Sequence, residues 1–116
     1  MILIIGAEAS GKREFAKNLG YTEDDFTTDP FDGKRVVYGV QNILFADHTR
    51  TQELYDALVD KDVVICNEVG SGVIPVEREV RLGREAAGRL CVLLAKDAEA
   101  VVRMVCGIPT IIKGQI

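Results

Sequence analysis

Met1-Ile-Leu-Ile-Ile5 runs directly into Gly6-Ala7-Glu8-Ala9-Ser10-Gly11-Lys12-Arg13. A short apolar run, a glycine, four residues, Gly-Lys and then the helix-compatible Glu14-Phe-Ala-Lys-Asn-Leu19 make the strand–loop–helix layout of a phosphate-binding P-loop. Such a loop turns the backbone N–H groups of Gly6, Ala7, Glu8, Ala9, Ser10 and Gly11 toward one anion. The start of the helix adds partial positive charge, and Lys12 reaches the outer phosphates. Glycine is needed where a Cβ would block the approach. The pattern ordinarily closes on Ser or Thr, whose hydroxyl binds Mg²⁺, but here Arg13 occupies that position. A guanidinium has no acceptor, and two like unit charges 4 Å apart repel by about 4 kcal/mol at an effective dielectric of 20. Mg²⁺ is therefore expected to be weakly held or lost. A glycine-rich turn that binds nothing is the competing reading of these residues.

The rest of the chain sets the scale. With 116 residues it is long enough for one core and too short for two, so residues 1–116 are expected to form a single P-loop NTPase-like domain. Hydrophobic content of 47% beside 28% charged residues is that of a globular protein. A net charge of −4 gives no general drive toward nucleic acid or an anionic membrane. No apolar stretch approaches the ~20 residues of a membrane span, and the N-terminal run is too short for a signal peptide. Cys66, Cys91 and Cys106 lie apart in apolar sequence without a C-x-x-C, so buried thiols in a cytoplasmic setting are expected.

Strands and helices alternate along the chain. Ile2–Ile5 reads as a central parallel strand, Lys12–Leu19 as a helix with Gly20 at its end, and Asp25–Thr28 as a short edge strand. The next stretch is ambiguous. Val36, Val37, Val40, Ile43 and Leu44 trace a helix face, whereas residues 42–47 could be a strand ending on Asp47 as a Walker-B-type partner for Mg²⁺. The helix is the better fit. Thr51–Leu58 reads as a further helix, Asp62–Cys66 as the second core strand, Val76–Asp97 as a long helix, and Ala100–Cys106 as the third core strand. Thr110–Lys113 is expected to return as an edge strand. The expected class is α/β: a small P-loop-type three-layer fold with a mainly parallel sheet and an antiparallel C-terminal edge.

Ligands of such sheets sit beyond the C-terminal strand ends. There the glycine loop meets a second loop, Asn67-Glu68-Val69-Gly70-Ser71-Gly72. The Asn67 amide can donate and accept. The Glu68 carboxylate can hold Mg²⁺ or accept a substrate hydroxyl proton, or it can simply face solvent in a turn.

The stretch Asn67-Glu-Val-Gly70-Ser-Gly72-Val-Ile-Pro75 resembles the N-E-V-G-x-G-[IV]-[IV]-P segment of the adenosylcobinamide kinase / adenosylcobinamide-phosphate guanylyltransferase family. Ala87-Gly88-Arg89 and Val105-Cys106-Gly107 follow in the family's order, and the P-loop lies at the N-terminus as in the family. The resemblance covers about Met1–Leu19 and Asp62–Lys113. It implies phosphoryl transfer from ATP or GTP to adenosylcobinamide, a step in assembling the cobalamin nucleotide loop. Lys12 and Glu68 would be the catalytic residues, Gly6–Arg13 the nucleotide cradle, and Asn67, Gly70 and Gly72 the substrate loop. It also implies a homo-oligomer, with a trimer as one form.

The chain departs from that pattern in places. Arg13 replaces the Ser or Thr of the family's P-loop, and family members are longer between the two resembling blocks. The family's guanylylated histidine falls in a segment with no counterpart here, and His48, the only histidine, has no family motif around it. Guanylyl transfer is therefore not expected. Three readings stay open: a P-loop kinase, a degenerate nucleotide- or cobinamide-binding module without catalysis, and a small structural α/β protein whose subunits assemble through its glycine-bearing faces.

Overall fold

Leu3 and Ile4, neighbours on the first strand, are both buried although their side chains point to opposite faces of the sheet. A strand apolar on both faces belongs in the middle of a covered sheet, and that is where it lies. The structure, a computed structural model, describes residues 1–68 and 77–116. The strands are β1 (Ile2–Gly6), β2 (Phe26–Thr27), β3 (Val36–Val37), β4 (Val63–Asn67), β5 (Ala100–Val105) and β6 (Ile108–Lys113). The helices are α1 (Lys12–Asn18), α2 (Val40–Ala46), α3 (Thr51–Leu58) and α4 (Arg78–Asp97). The sheet order is β2-β3-β4-β1-β5-β6. All pairs are parallel except β5 with β6, so the α/β class, the mainly parallel sheet and the antiparallel C-terminal edge stand as expected.

The two faces are covered unequally. Leu3, Val64, Cys66 and Val101 pack against Leu44 of α2, Leu54 and Leu58 of α3, and Leu90 and Leu94 of α4. Ile4, Val63, Ile65, Val102 and Met104 form the other layer, beneath Ala16 of α1. On α4 the buried positions Gly83, Ala86, Ala87, Leu90 and Leu94 keep the spacing of one helix face. Gly83 permits a close crossing, because a Cβ there would lie 2.5 Å from the Phe45 ring and 2.9 Å from its Cα. At the far end of α4, Lys113 Nζ donates to the carbonyls of Ala95 (2.9 Å) and Lys96 (2.8 Å), which have no partner inside the helix.

Three expectations need correction. The helix drawn through Val36, Val37, Val40, Ile43 and Leu44 is two elements. Val36 and Val37 are the buried strand β3, Gly39 turns the chain at φ +68°, and only then does α2 begin. The alternative strand over residues 42–47 is absent. Asp47 ends α2 and accepts from Thr49 N–H (3.0 Å) and its hydroxyl (2.6 Å), capping the short turn His48–Arg50. Finally, the cysteines are not uniformly buried: Cys66 is, Cys91 is partly so, and Cys106 is exposed. Cys106 (φ +49°) and Gly107 (φ +76°) form the tight turn of the β5–β6 hairpin, whose tip faces solvent. The long helix was expected from Val76, which lies outside the described residues, and its first described helical residue is Arg78.

Candidate functional site

β1 ends on Gly6, and the chain folds back over the C-terminal ends of β1, β4 and β5 before α1 starts at Lys12. The turn is tight. A Cβ on Gly6 would stand 2.6 Å from both the Met104 carbonyl oxygen and Ser10 Oγ. Gly11 adopts φ +95°, and its own Cβ would meet the Gly107 Cα at 3.2 Å. Ala7, Glu8 and Ala9 project into solvent, while Ser10 and Lys12 are each 7% exposed.

Lys12 folds back into this loop. Its Nζ donates to the Ala7 carbonyl and, at 3.4 Å, to Ser10 Oγ. Burial lowers its pKa from the ordinary lysine value, and the negative charge of Glu8 partly opposes that. Arg13 leaves the loop sideways, with its guanidinium carbon 5.1 Å from the Tyr38 ring centroid, a cation–π distance.

A cavity of about 480 Å³ opens above these residues, within the range of about 300–1,000 Å³ usual for small-molecule sites. Its floor is Glu8 to Glu14. Its walls include Tyr38, Gln41 and Asn42 from the β3–α2 junction, and Asn67 from the end of β4. Gln41 Oε1 accepts from Asn67 N–H at 3.4 Å, which ties the two walls together. The structure therefore brings the glycine loop, Lys12, Arg13 and Asn67 to one cavity. Gly70 and Gly72 lie outside the described residues.

Glu68 is adjacent but engaged. Its N–H donates to the Gly6 carbonyl at 2.8 Å. Its carboxylate is held in a two-point ion pair by Arg103 of β5, with Nε–Oε1 at 2.6 Å and Nη2–Oε2 at 3.1 Å. Sequence reading missed Arg103, Tyr38, Gln41 and Asn42. For Arg103 a weak signal existed: a lone cation inside an otherwise apolar strand needs a partner.

The donor set does not suit the Mg²⁺ that a P-loop implies. Arg13 offers no oxygen where the pattern ordinarily has a hydroxyl, its guanidinium lying over Tyr38, and both oxygens of the nearest strand-end carboxylate are paired with a second guanidinium. Among the described residues, no three His, Cys, Asp or Glu side chains converge to hold a metal ion. No described helix is long and apolar enough to cross a membrane.

The family model for cobinamide kinase / cobinamide phosphate guanyltransferase matches residues 36–112, more than half of the chain. The match takes in β3 through most of β6, including Asn67, Glu68 and the segment after them, and begins beyond the glycine loop. No curated protein matches the chain. With both the order of motifs and the family match pointing the same way, the chain belongs to the cobinamide kinase / cobinamide phosphate guanyltransferase family.

Proposed function

We propose that the protein is a nucleotide-dependent, kinase-like member of its family, acting on a cobinamide-type alcohol with ATP or GTP as phosphoryl donor. The observation that carries this reading is the juxtaposition of the glycine loop, Lys12 and Asn67 around one cavity of about 480 Å³. On this reading residues 1–116 are one P-loop NTPase-like domain. The amides of Gly6–Gly11 cradle the outer phosphates, and Lys12 exchanges the Ala7 carbonyl and the Ser10 hydroxyl for phosphate oxygens. Its charge then meets the charge that develops during transfer. The amides of Gln41, Asn42 and Asn67 supply donors and acceptors to the rest of the ligand.

Three free thiols favour a cytoplasmic setting. Ile108, Ile111 and Ile112 on β6 are half-exposed or more, an apolar edge that favours a homo-oligomer, for which a trimer is one form. The replacement of the usual hydroxyl by Arg13 favours a second reading, a binding module without turnover.

Calorimetric titration with ATP and GTP tests binding. Lys12→Ala should weaken it by at least about 2 kcal/mol, as for losing one partner of a charged contact. Equal affinity in wild type and variant would remove the site. Phosphorylated adenosylcobinamide among the products then separates the kinase from the module.

A further inference from the structure

We infer that the phosphorylated ligand at the glycine loop is bound without a divalent metal, because Arg13 replaces the usual hydroxyl ligand and Arg103 engages the carboxylate beside the loop. This rests on the nucleotide-binding reading above and concerns the form of ligand that the site selects: a free nucleotide rather than its Mg²⁺ complex.

Mg²⁺ is a hard cation bound through one or two protein oxygens together with phosphate oxygens and water. At the first helical turn the protein oxygen is missing, and Arg13 stands on the cavity wall, its guanidinium held over Tyr38. At the end of β4 the carboxylate of Glu68 is present, but Arg103 pairs with both of its oxygens in the bidentate geometry that makes Arg–carboxylate pairs strong, so turning it to a metal would cost that pair. The Glu68 backbone is also fastened to Gly6, so the carboxylate is anchored from both sides.

Glu68 stands beside the cavity, and two other carboxylates line it. Glu14 pairs with Lys17 at 3.7 Å. Glu8 lies on the exposed top of the loop and is, among the described residues, the carboxylate left to compete, so it enters the test. Lys12 and Arg13 together supply the positive charge that a metal would otherwise bring to the phosphates. Arg103 acts on the ligand only through Glu68 and is a positioning residue.

The experiment compares the affinity of ATP and of GTP in EDTA and in excess Mg²⁺. Wild type should bind with dissociation constants within about threefold of each other in the two buffers, and Glu8→Gln should leave that ratio unchanged. In the double variant Arg13→Ser, Arg103→Met, with a hydroxyl restored and Glu68 released, Mg²⁺ should tighten binding tenfold or more. Nucleotide-dependent uptake of Mn²⁺, read by its paramagnetic signal, should be absent in wild type and present in the double variant. Arg103→Lys, which keeps a charge but not the two-point grip, serves if the methionine variant is poorly folded, and should show an intermediate metal effect with Arg13→Ser.

Wild-type binding that weakens tenfold or more in EDTA overturns the inference while leaving the nucleotide site standing. A double variant as indifferent to metal as wild type also overturns it, since the guanidinium groups are then not what excludes the ion. If neither nucleotide binds in either buffer, the nucleotide reading itself fails and this inference falls with it.

Discussion

The backbone N–H of Gly107 donates to the carbonyl oxygen of Ser10 at 3.0 Å, fastening the β5–β6 turn to the rim of the glycine loop. The turn and the loop also meet at Gly11, whose missing Cβ leaves room for the Gly107 Cα. The loop is therefore braced from the C-terminal end of the chain as well as by its own strand and helix.

The brace can be strengthened. Cys106 holds φ +49°, a conformation that costs an ordinary L-residue about 1–2 kcal/mol and that Asn accepts readily in the Asn-Gly form of this turn. Cys106→Asn should raise stability by roughly 0.5–1 kcal/mol, read as a higher urea midpoint at unchanged slope. A lowered midpoint would contradict the turn assignment.

Lys12 should trade stability for binding. Its burial lowers its pKa, so the folded state holds this proton less firmly than the unfolded one, where the value is the ordinary 10.5. Between the lowered value and 10.5 the unfolded chain carries more protons, and this group's contribution to stability rises with pH across that interval and is flat below it. Lys12→Met should therefore be more stable than wild type at neutral pH, and its advantage should shrink as alkaline pH approaches 10.5. Tyr21, raised by burial and Asp62, pushes the other way in both proteins and cancels in the comparison. Cys66, raised by the Cys91 thiol and by burial, is drawn down by Lys12, so losing that charge raises it further in the variant and adds to the shrinkage. Urea melts of the two proteins across that range provide the check.

Two glycines of α4 should respond with opposite signs. At Gly83 an added methyl would collide with Phe45, and overpacking of this kind costs roughly 1–3 kcal/mol. At Gly88 a Cβ would meet nothing within 4 Å, so only the helix preference for alanine remains, about 0.5–1 kcal/mol in favour of Gly88→Ala. Destabilisation of both variants would show that Gly88 faces a surface filled in solution.

His48 sits in the turn after α2, outside the residues that line the main cavity. Incubation with labelled GTP should leave no acid-labile GMP on the protein. Label present in wild type and lost in His48→Ala would place the nucleophile there.

The parts of this fold legible in the sequence were those with local causes. Ile2–Ile5, Asp62–Cys66 and Ala100–Cys106 read as core strands because each is a short apolar run, broken in the last only by Arg103, while the tight turn falls one residue earlier than that reading, at Cys106–Gly107. β3 was hidden because Val36 and Val37 extend the apolar spacing of Val40, Ile43 and Leu44, and only the positive φ of Gly39 breaks the continuity. The site divided in the same way. Gly6, Gly11 and Lys12 carry a pattern, whereas the grip of Arg103 on Glu68 joins residues that meet only once β5 pairs beside β1, a consequence of sheet order that no local spacing encodes.

All six residues of β6 are exposed. The strand is held by its backbone ladder to β5 and by the reach of Lys113 to the end of α4, with little apolar burial of its own. Such an edge opens at a lower free energy than the core and exchanges its amide hydrogens earlier. When it peels back, the Gly107–Ser10 contact goes with it. Fraying at the last strand is thus expected to loosen the glycine loop, and a ligand that orders the loop should slow deuterium uptake along Ile108–Lys113.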